Sequence, residues 1–309
     1  MKKMTKKPLI SILMNCFNGD KFLYESLTSV LNQTYENWEL IFWDNKSTDS
    51  SREIISTIKD RRIKIFLSNK HTNLGQARNN AYQKVKGDYL AFLDVDDIWE
   101  ANKLSNQIKV FEDKEVGISF TNVFYFSNKR KEILYKTKKD FTINTNSLIT
   151  NYSLSLNSIM LDINKLNKLS YDFDPIYSNI SDFDLIVRLS TISKVKYLNK
   201  VLSCWRIHGN NQSFKKKELF NEEQEIWCKY HLRNNYLTEY KSKIKELNNL
   251  ILAKQRILKN SCKINNIKFA NIKSTSNIRN KLFIIFSYIP FFPKFLYQIK
   301  DYLFKLKWY

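Results

Sequence analysis

Three carboxylates, Asp94, Asp96 and Asp97, stand within four residues at the end of the apolar run Tyr89-Leu90-Ala91-Phe92-Leu93. Acids this close repel one another unless a cation sits between them, and a hard divalent metal holding a diphosphate is one use for such a cluster. The other use is a solvated acidic turn capping a helix that begins near Trp99, where carboxylates favour the helix dipole. Taken alone, the cluster supports both. Its setting is clearer: an apolar run of five is a buried strand by length, and a strand that ends in acids delivers them to one spot at the sheet's edge.

The elements that must position such groups alternate through the first hundred residues. Strand-like runs cover Leu9–Met14, Trp38–Trp43, Ile63–Phe66 and Tyr89–Leu93, and helical patterns cover Phe22–Asn32, Ser51–Ile58 and Gln76–Val85. This alternation predicts an α/β fold, a mostly parallel sheet flanked by helices, with ligands bound beyond the carboxyl ends of the strands. Polar residues follow each strand as that rule requires: Asn15 and Asn18, then Asp44 and Asn45, then Asp94 and Asp96. Further on, the pattern predicts an amphipathic helix over Asn102–Phe111, strands over Ile118–Phe126 and Ser155–Leu161, and a helix over Asp182–Leu189. Residues 127–151 read as a polar excursion, and the chain from Phe220 onward is helical by composition.

Composition bounds the partners. The 309 residues carry 51 Lys/Arg against 30 Asp/Glu, a net charge of +21. Ile226–Tyr309 alone holds 17 Lys/Arg and 3 Asp/Glu, so the excess is concentrated there and implies an anionic partner. The segment 279–309 is apolar and aromatic, too broken by Pro290, Pro293 and Lys294 to span a bilayer. It suits either a membrane-interface position or a helix pair packed on the rest of the chain. None of the usual nucleic-acid-binding motifs appears, so no nucleic-acid partner is expected. Four scattered cysteines are expected to be reduced cytosolic thiols. The lysines before Leu9 resemble the start of a signal peptide, but the apolar run is short and reads as a first strand.

Four segments together carry a resemblance. They are Ser11-Ile12-Leu13-Met14-Asn15-Cys16-Phe17-Asn18; Asp44-Asn45-Lys46-Ser47-Thr48-Asp49; Asn73-Leu74-Gly75-Gln76-Ala77-Arg78-Asn79 with the acid cluster; and Ser181-Asp182-Phe183-Asp184 with Trp205-Arg206-Ile207-His208. In this order and spacing, over residues 8–212, the chain resembles the family 2 glycosyltransferases of the GT-A fold, of the bacterial surface-glycan type. The resemblance implies a Rossmann-like catalytic domain over 1–212, with a nucleotide-sugar half at 8–99 and an acceptor half at 100–212. A basic, aromatic helical region would follow at 213–309.

The same resemblance assigns roles. Cys16, Phe17, Asn18, Asp44, Arg78, Asp94 and Arg206 would bind the nucleotide-sugar donor. Asp44 would accept from a uracil imide and Phe17 would cover the ring, tasks that a carboxylate and a flat side chain do well. A turn closed by Ser47 is the plainer use of Asp44. Asp96, with His208 as a further contact, would hold Mn2+ or Mg2+, and Asp97 would be left as the capping residue. Asp182 would be the general base of an inverting transfer, which needs one carboxylate and no carboxylate nucleophile. Asp184 falls on another face of the same helix start.

Implied partners are a UDP-sugar donor and a glycan or lipid-linked glycan acceptor, with the protein cytoplasmic and peripheral on an anionic membrane. A scaffold that kept the fold without turnover would share this layout, but the set Asp94, Asp96, Arg78 and Asp182 favours the enzyme. The chain departs from the family where Ser181 replaces a common acid, where Asn15-Cys16 replaces Pro-Thr, where Ala81 stands for a common Gly, and at Leu169-Ser170-Tyr171-Asp172 on the acceptor side.

Overall fold

The first strand begins where β-branched and apolar residues begin to alternate between two faces. In the computed structural model, which describes residues 7–128 and 130–259 with Asn280 and Leu282 beyond them, β1 runs Ile10–Cys16. After it come α1 (Asp20–Leu31), β2 (Trp38–Asp44), α2 (Ser51–Thr57), β3 (Ile63–Leu67), α3 (Leu74–Tyr82), β4 (Tyr89–Phe92), β5 (Ile98–Trp99) and α4 (Lys103–Gln107). Then follow β6 (Val116–Phe126), β7 (Lys131–Ile133), β8 (Phe141–Ile143), α5 (Thr145–Thr150), β9 (Met160–Asp162), α6 (Ile163–Leu166), α7 (Ser181–Ser190) and β10 (Lys194–Arg206). Three helices close the described part: α8 (Gln212–Lys215), α9 (Lys217–Arg233) and α10 (Lys241–Lys259).

The strands form one sheet in the order β3-β2-β1-β4-β9-β6-β10-β5, with β7 beside β6 and β8 beside β10. Its first four strands are parallel. The long pairing of β6 with β10 is parallel too, while every antiparallel pairing involves two or three residues. The α/β expectation therefore holds. On one face, Ile10, Ile12 and Met14 pack with Trp38, Leu40 and Phe42 beneath Leu23, Leu27 and Val30 of α1. Those three helical residues recur at i, i+4 and i+7, the spacing that turns one stripe inward.

The α3 helix is fixed at its start. Asn73 caps it by accepting the Gln76 N–H at 2.8 Å, and its amide donates to the Pro175 carbonyl. At Gly75 an added Cβ would lie 2.0 Å from the Tyr177 carbonyl oxygen, so only glycine lets this turn meet the chain leading into α7.

Several sequence expectations change. Ile98 and Trp99 form a strand on β10, not a helix start, and the Trp99 indole donates to the Asn157 carbonyl at 2.8 Å. Asp97 is consequently not a helix cap; it is buried, and bonds to Asn157 and to the Arg206 backbone. The helix expected over Asn102–Phe111 is α4 followed by a 3-10 turn at Ile108–Glu112. The strand expected at Ser155–Leu161 is a 3-10 turn, Leu156–Ser158, followed by β9. The polar excursion holds β7, β8 and α5.

The chain divides into two compact units. One takes the described residues through Thr145 with Ser153–Ile207, and the other takes Asn146–Tyr152 with the chain from His208. In the second unit α9 and α10 pack together around Trp227, Cys228, Ile244 and Ile251, all buried. Among the described residues no helix is long and apolar enough to cross a membrane. The segment 279–309, apart from Asn280 and Leu282, lies outside the described residues.

Candidate active site

Parallel strands place their following loops at one edge, and here that edge gathers β1, β2 and β4 side by side. After β1 the chain turns sharply: Asn18 has φ 54°, its N–H donates to Ser47 Oγ at 3.0 Å, and its Oδ1 accepts from Thr48 N at 2.8 Å. The β1 and β2 loops are thereby tied together. Cys16 contributes backbone: its carbonyl accepts from Asn45 N at 2.8 Å, while its thiol is buried, which pushes its pKa up. Phe17 is 45% exposed, its ring centre 4.1 Å from that of His71. Asn45 steadies His71 by placing its carbonyl oxygen 3.1 Å from Nδ1.

Asp44 is fully buried at the end of β2. It accepts from Ser47 N at 3.1 Å and from Arg52 Nε at 2.7 Å. The turn with Ser47 is therefore present, and Arg52 joins it. Neither Arg52 nor His71 stands out in the sequence, because each acquires its place only when α2 and the loop after β3 fold back over β2.

The acid loop follows β4. Burial pushes the Asp94 carboxyl up to about 6, against the lowering pull of Arg78 and with further raising from Asp96 and Asp182. These three acids and Arg78 thus share one neighbourhood, although the chain separates them widely. Burial also raises Asp97 well above the usual carboxylate range, with Asp96 and Asp94 adding to it. Arg78 is buried on α3, where its NH1 donates to Ser181 Oγ at 2.8 Å and lies 3.6 Å from Asp182 Oδ1.

On α7 the two acids are sorted by burial. Asp184 is wholly enclosed and paired with Arg188, which also donates to the carbonyls of Tyr171 and Asp172. The Asp182 side chain keeps 17% exposure, so it faces the site from the helix's first turn. Arg206 ends β10 with its Nε on the Asp96 carbonyl at 2.9 Å and its NH2 on Glu25. His208 lies in the second unit, where its N–H donates to Asn211 and its Nδ1 accepts from Asn210.

Among the described residues no three His, Cys, Asp or Glu side chains converge as a metal site of their own. The acid loop nonetheless suits a hard divalent ion. Asp94 and Asp96 offer carboxylate oxygens, and the acids Asp96 and Asp182 beside buried Asp94 place negative charge there that a cation would offset. Such an ion would draw its remaining ligands from a diphosphate or water.

The sheet order, the acids after β4 and the carboxylate at the start of α7 define a nucleotide-sugar-transferase type of fold, GT-A. Solved structures of that fold match closely in shape: TarS of S. aureus in complex with UDP superposes with a TM-score of 0.66 at 14% identity, over 94% of this chain and 91% of that one. The mannosyltransferase PcManGT of Pyrobaculum calidifontis, in complex with GDP-Man and Mn2+, gives 0.59 at 12% identity, over 92% of this chain and 86% of that one. The family model "Glycosyl transferase family 2" matches residues 11–169. WfaP of Escherichia coli, a UDP-Glc:alpha-D-GlcNAc-diphosphoundecaprenol beta-1,3-glucosyltransferase, is 33% identical over 230 residues, 73% of this chain and 89% of that protein. The chain belongs to glycosyltransferase family 2.

Proposed function

We propose that this protein moves a sugar, with inversion, from a UDP-sugar to a lipid-linked glycan acceptor in surface-polysaccharide assembly. The observation that carries the reading is the convergence of Asp94, Arg78 and Asp182 at the carboxyl edge of the sheet, with Asp182 accessible and Asp184 not. Asp182 takes the proton of the acceptor hydroxyl as that oxygen attacks the anomeric carbon. The bond from that carbon to the diphosphate breaks on the opposite face, and UDP departs. Arg78, buried beside Asp182, offers fixed positive charge where the leaving group gains negative charge. Asp96 would hold Mn2+ or Mg2+, with Asp94 beside it toward the donor, and the ion would neutralise the departing diphosphate.

The exposed Phe17, its ring against that of His71, supplies the base platform. The UDP donor and diphosphoundecaprenol acceptor named for WfaP support the substrate class. A lipid-borne acceptor also gives the basic region 213–309 a purpose, holding the enzyme on the inner face of an anionic membrane.

A nucleotide-sugar panel read by melting temperature with Mn2+ tests this, since a ligand bound only by the native state raises it. UDP and one UDP-sugar are expected to raise the midpoint, and Asp96→Ala is expected to abolish both the shift and slow Mn2+-dependent donor hydrolysis. A wild type indifferent to every nucleotide defeats the reading. Tight binding without any turnover would mark a scaffold instead.

A further inference from the structure

The four residues of the acid loop hang from three elements. At one end Ser26 Oγ on α1 donates to the Asp94 carbonyl at 3.1 Å. Arg206 grips the other end twice: Nε donates to the Asp96 carbonyl at 2.9 Å and its backbone N–H to Asp97 Oδ1 at 2.9 Å. Asp97 Oδ2 accepts from Asn157 Nδ2 at 2.6 Å. Asn157 is itself locked, for its carbonyl accepts from the Trp99 indole at 2.8 Å and from Ser203 Oγ at 2.9 Å. Asp97 and Asn157 are each 1% exposed.

The Arg206 side chain is held by three side chains. Its guanidinium lies 4.4 Å from the Phe22 ring centre and 4.5 Å from that of Phe126, and its NH2 is paired with Glu25. With a carboxylate on NH2 and a carbonyl on Nε, the arginine spends those two donor groups on the protein.

We propose that Asp97, Asn157 and Arg206 are positioning residues that set the aim of Asp94 and Asp96, and that Arg206 acts through the Asp96 backbone rather than by touching the donor. This inference rests on the proposed function, because it assumes that Asp94 and Asp96 meet a metal-bound diphosphate. Carboxylate oxygens must meet a cation within a few tenths of an ångström, so groups that orient ligands without touching the metal typically govern affinity by 10–100-fold. A buried carboxylate taking two N–H donors is a rigid peg for the loop.

The pairing of Asp97 with Asn157 allows a sharp test. Asp97→Asn points an N–H donor at one of two other donors, the Arg206 N–H or the Asn157 amide. The reciprocal pair Asp97→Asn with Asn157→Asp restores a donor facing an acceptor and leaves the net charge unchanged.

The experiment is UDP binding to the full chain by calorimetry, in Mn2+ and in EDTA, with melting without ligand as the check on folding. Asp97→Asn is expected to weaken UDP binding in Mn2+ by roughly 10–100-fold, to leave binding in EDTA unchanged, and to raise the donor KM more than it lowers kcat. The double swap is expected to recover most of the loss. Glu25→Gln is expected to weaken UDP binding in Mn2+ by about two- to fivefold, since it loosens the clamp. If Arg206 instead contacts the donor, freeing it from Glu25 would leave binding equal or tighter.

Equal losses in Mn2+ and EDTA, or a swap as impaired as the single variant, would overturn the proposal. Wild type that binds UDP beside an unaffected Asp97→Asn overturns this inference alone. Wild type that binds no nucleotide overturns the proposed function with it.

Discussion

The two ends of the sheet build their share of the site by different means. In the parallel half, β3-β2-β1-β4, the candidate side chains other than Arg78 on α3 follow their own strands directly: Phe17 and Asn18 after β1, Asp44 at the end of β2, Asp94 after β4. Strand direction alone brings them to one edge. In the mixed half the chain reverses between β4, β9 and β6, and position is set by buried polar pairs that bridge long stretches of sequence. Asp97 meets Asn157 there, and Arg188 joins Asp184 to the Tyr171 and Asp172 carbonyls. The parallel half is held by topology and the mixed half by hydrogen bonds. Substitutions should therefore fail differently in the two.

The largest expected effect lies on α7, where the comparison can be broken within three residues. Asp182→Asn keeps the shape and removes the proposed base, so turnover is expected to fall by about 10²–10⁴-fold with UDP affinity and melting temperature near wild type. Asp184→Asn should instead lower the melting temperature, because it removes the charge facing buried Arg188. Steady-state kinetics beside thermal melts separates the two. If Asp184→Asn loses turnover at wild-type stability while Asp182→Asn stays active, the assignment of the base is wrong.

Next in size is the ion pair itself. Arg188 is fully buried on Asp184 and lies 3.9 Å from the Tyr171 ring. Arg188→Ala strands a buried carboxylate and two carbonyls, at a cost of roughly 3–5 kcal/mol. Urea unfolding would measure it, and a loss below 1 kcal/mol would show that the mixed half does not depend on this pair. A lone replacement of comparable burial in the parallel half, such as Ile12→Val, should cost only about 0.5–1.5 kcal/mol.

The same contrast decides what could be read from the sequence. Asp44 and Asp94 were legible as polar residues at the ends of strands that periodicity reveals, whereas Arg78 and Asp182 were marked only by the family resemblance. Asn157 was not, since nothing local ties it to a carboxylate 60 residues earlier. Two residues carry no period, so Ile98-Trp99 looked like the start of a helix until β10 paired with it. The strand β10 was missed because Leu198-Asn199-Lys200 interrupts its alternation, and β6 supplies the partner that makes it extended. Arg206 was assigned to the donor by resemblance alone, and nothing near it in sequence announces its contacts within the fold. Its partners Glu25 and Phe22 lie on a helix near the other end of the domain's sequence.

The last prediction, smallest when read per pH unit, tests whether buried polarity in the mixed half has an electrostatic cost as well as a use. Lys103 on α4 is fully buried; its ammonium donates to Gln107 Oε1 at 2.7 Å and sits 4.3 Å from the Trp99 ring centre. Burial alone lowers its pKa from 10.5 to about 7. Below about pH 7 the lysine is protonated in the folded and unfolded chain alike, and the folded state bears the cost of a buried charge. Between about pH 7 and 10.5 the unfolded chain holds a proton that the folded chain has released, so this group makes stability rise with pH. Lys103→Met removes that dependence. Measured by urea unfolding from pH 6 to 10, the variant's stability relative to wild type should fall by roughly 1.4 kcal/mol for each pH unit above 7. Gln107 also donates to the Ser119 and Ser158 carbonyls, so losing its lysine adds a fixed offset but no slope. A difference that stays level across that range would mean the ammonium is solvated or paired when folded, and that the mixed half carries its polar core without penalty.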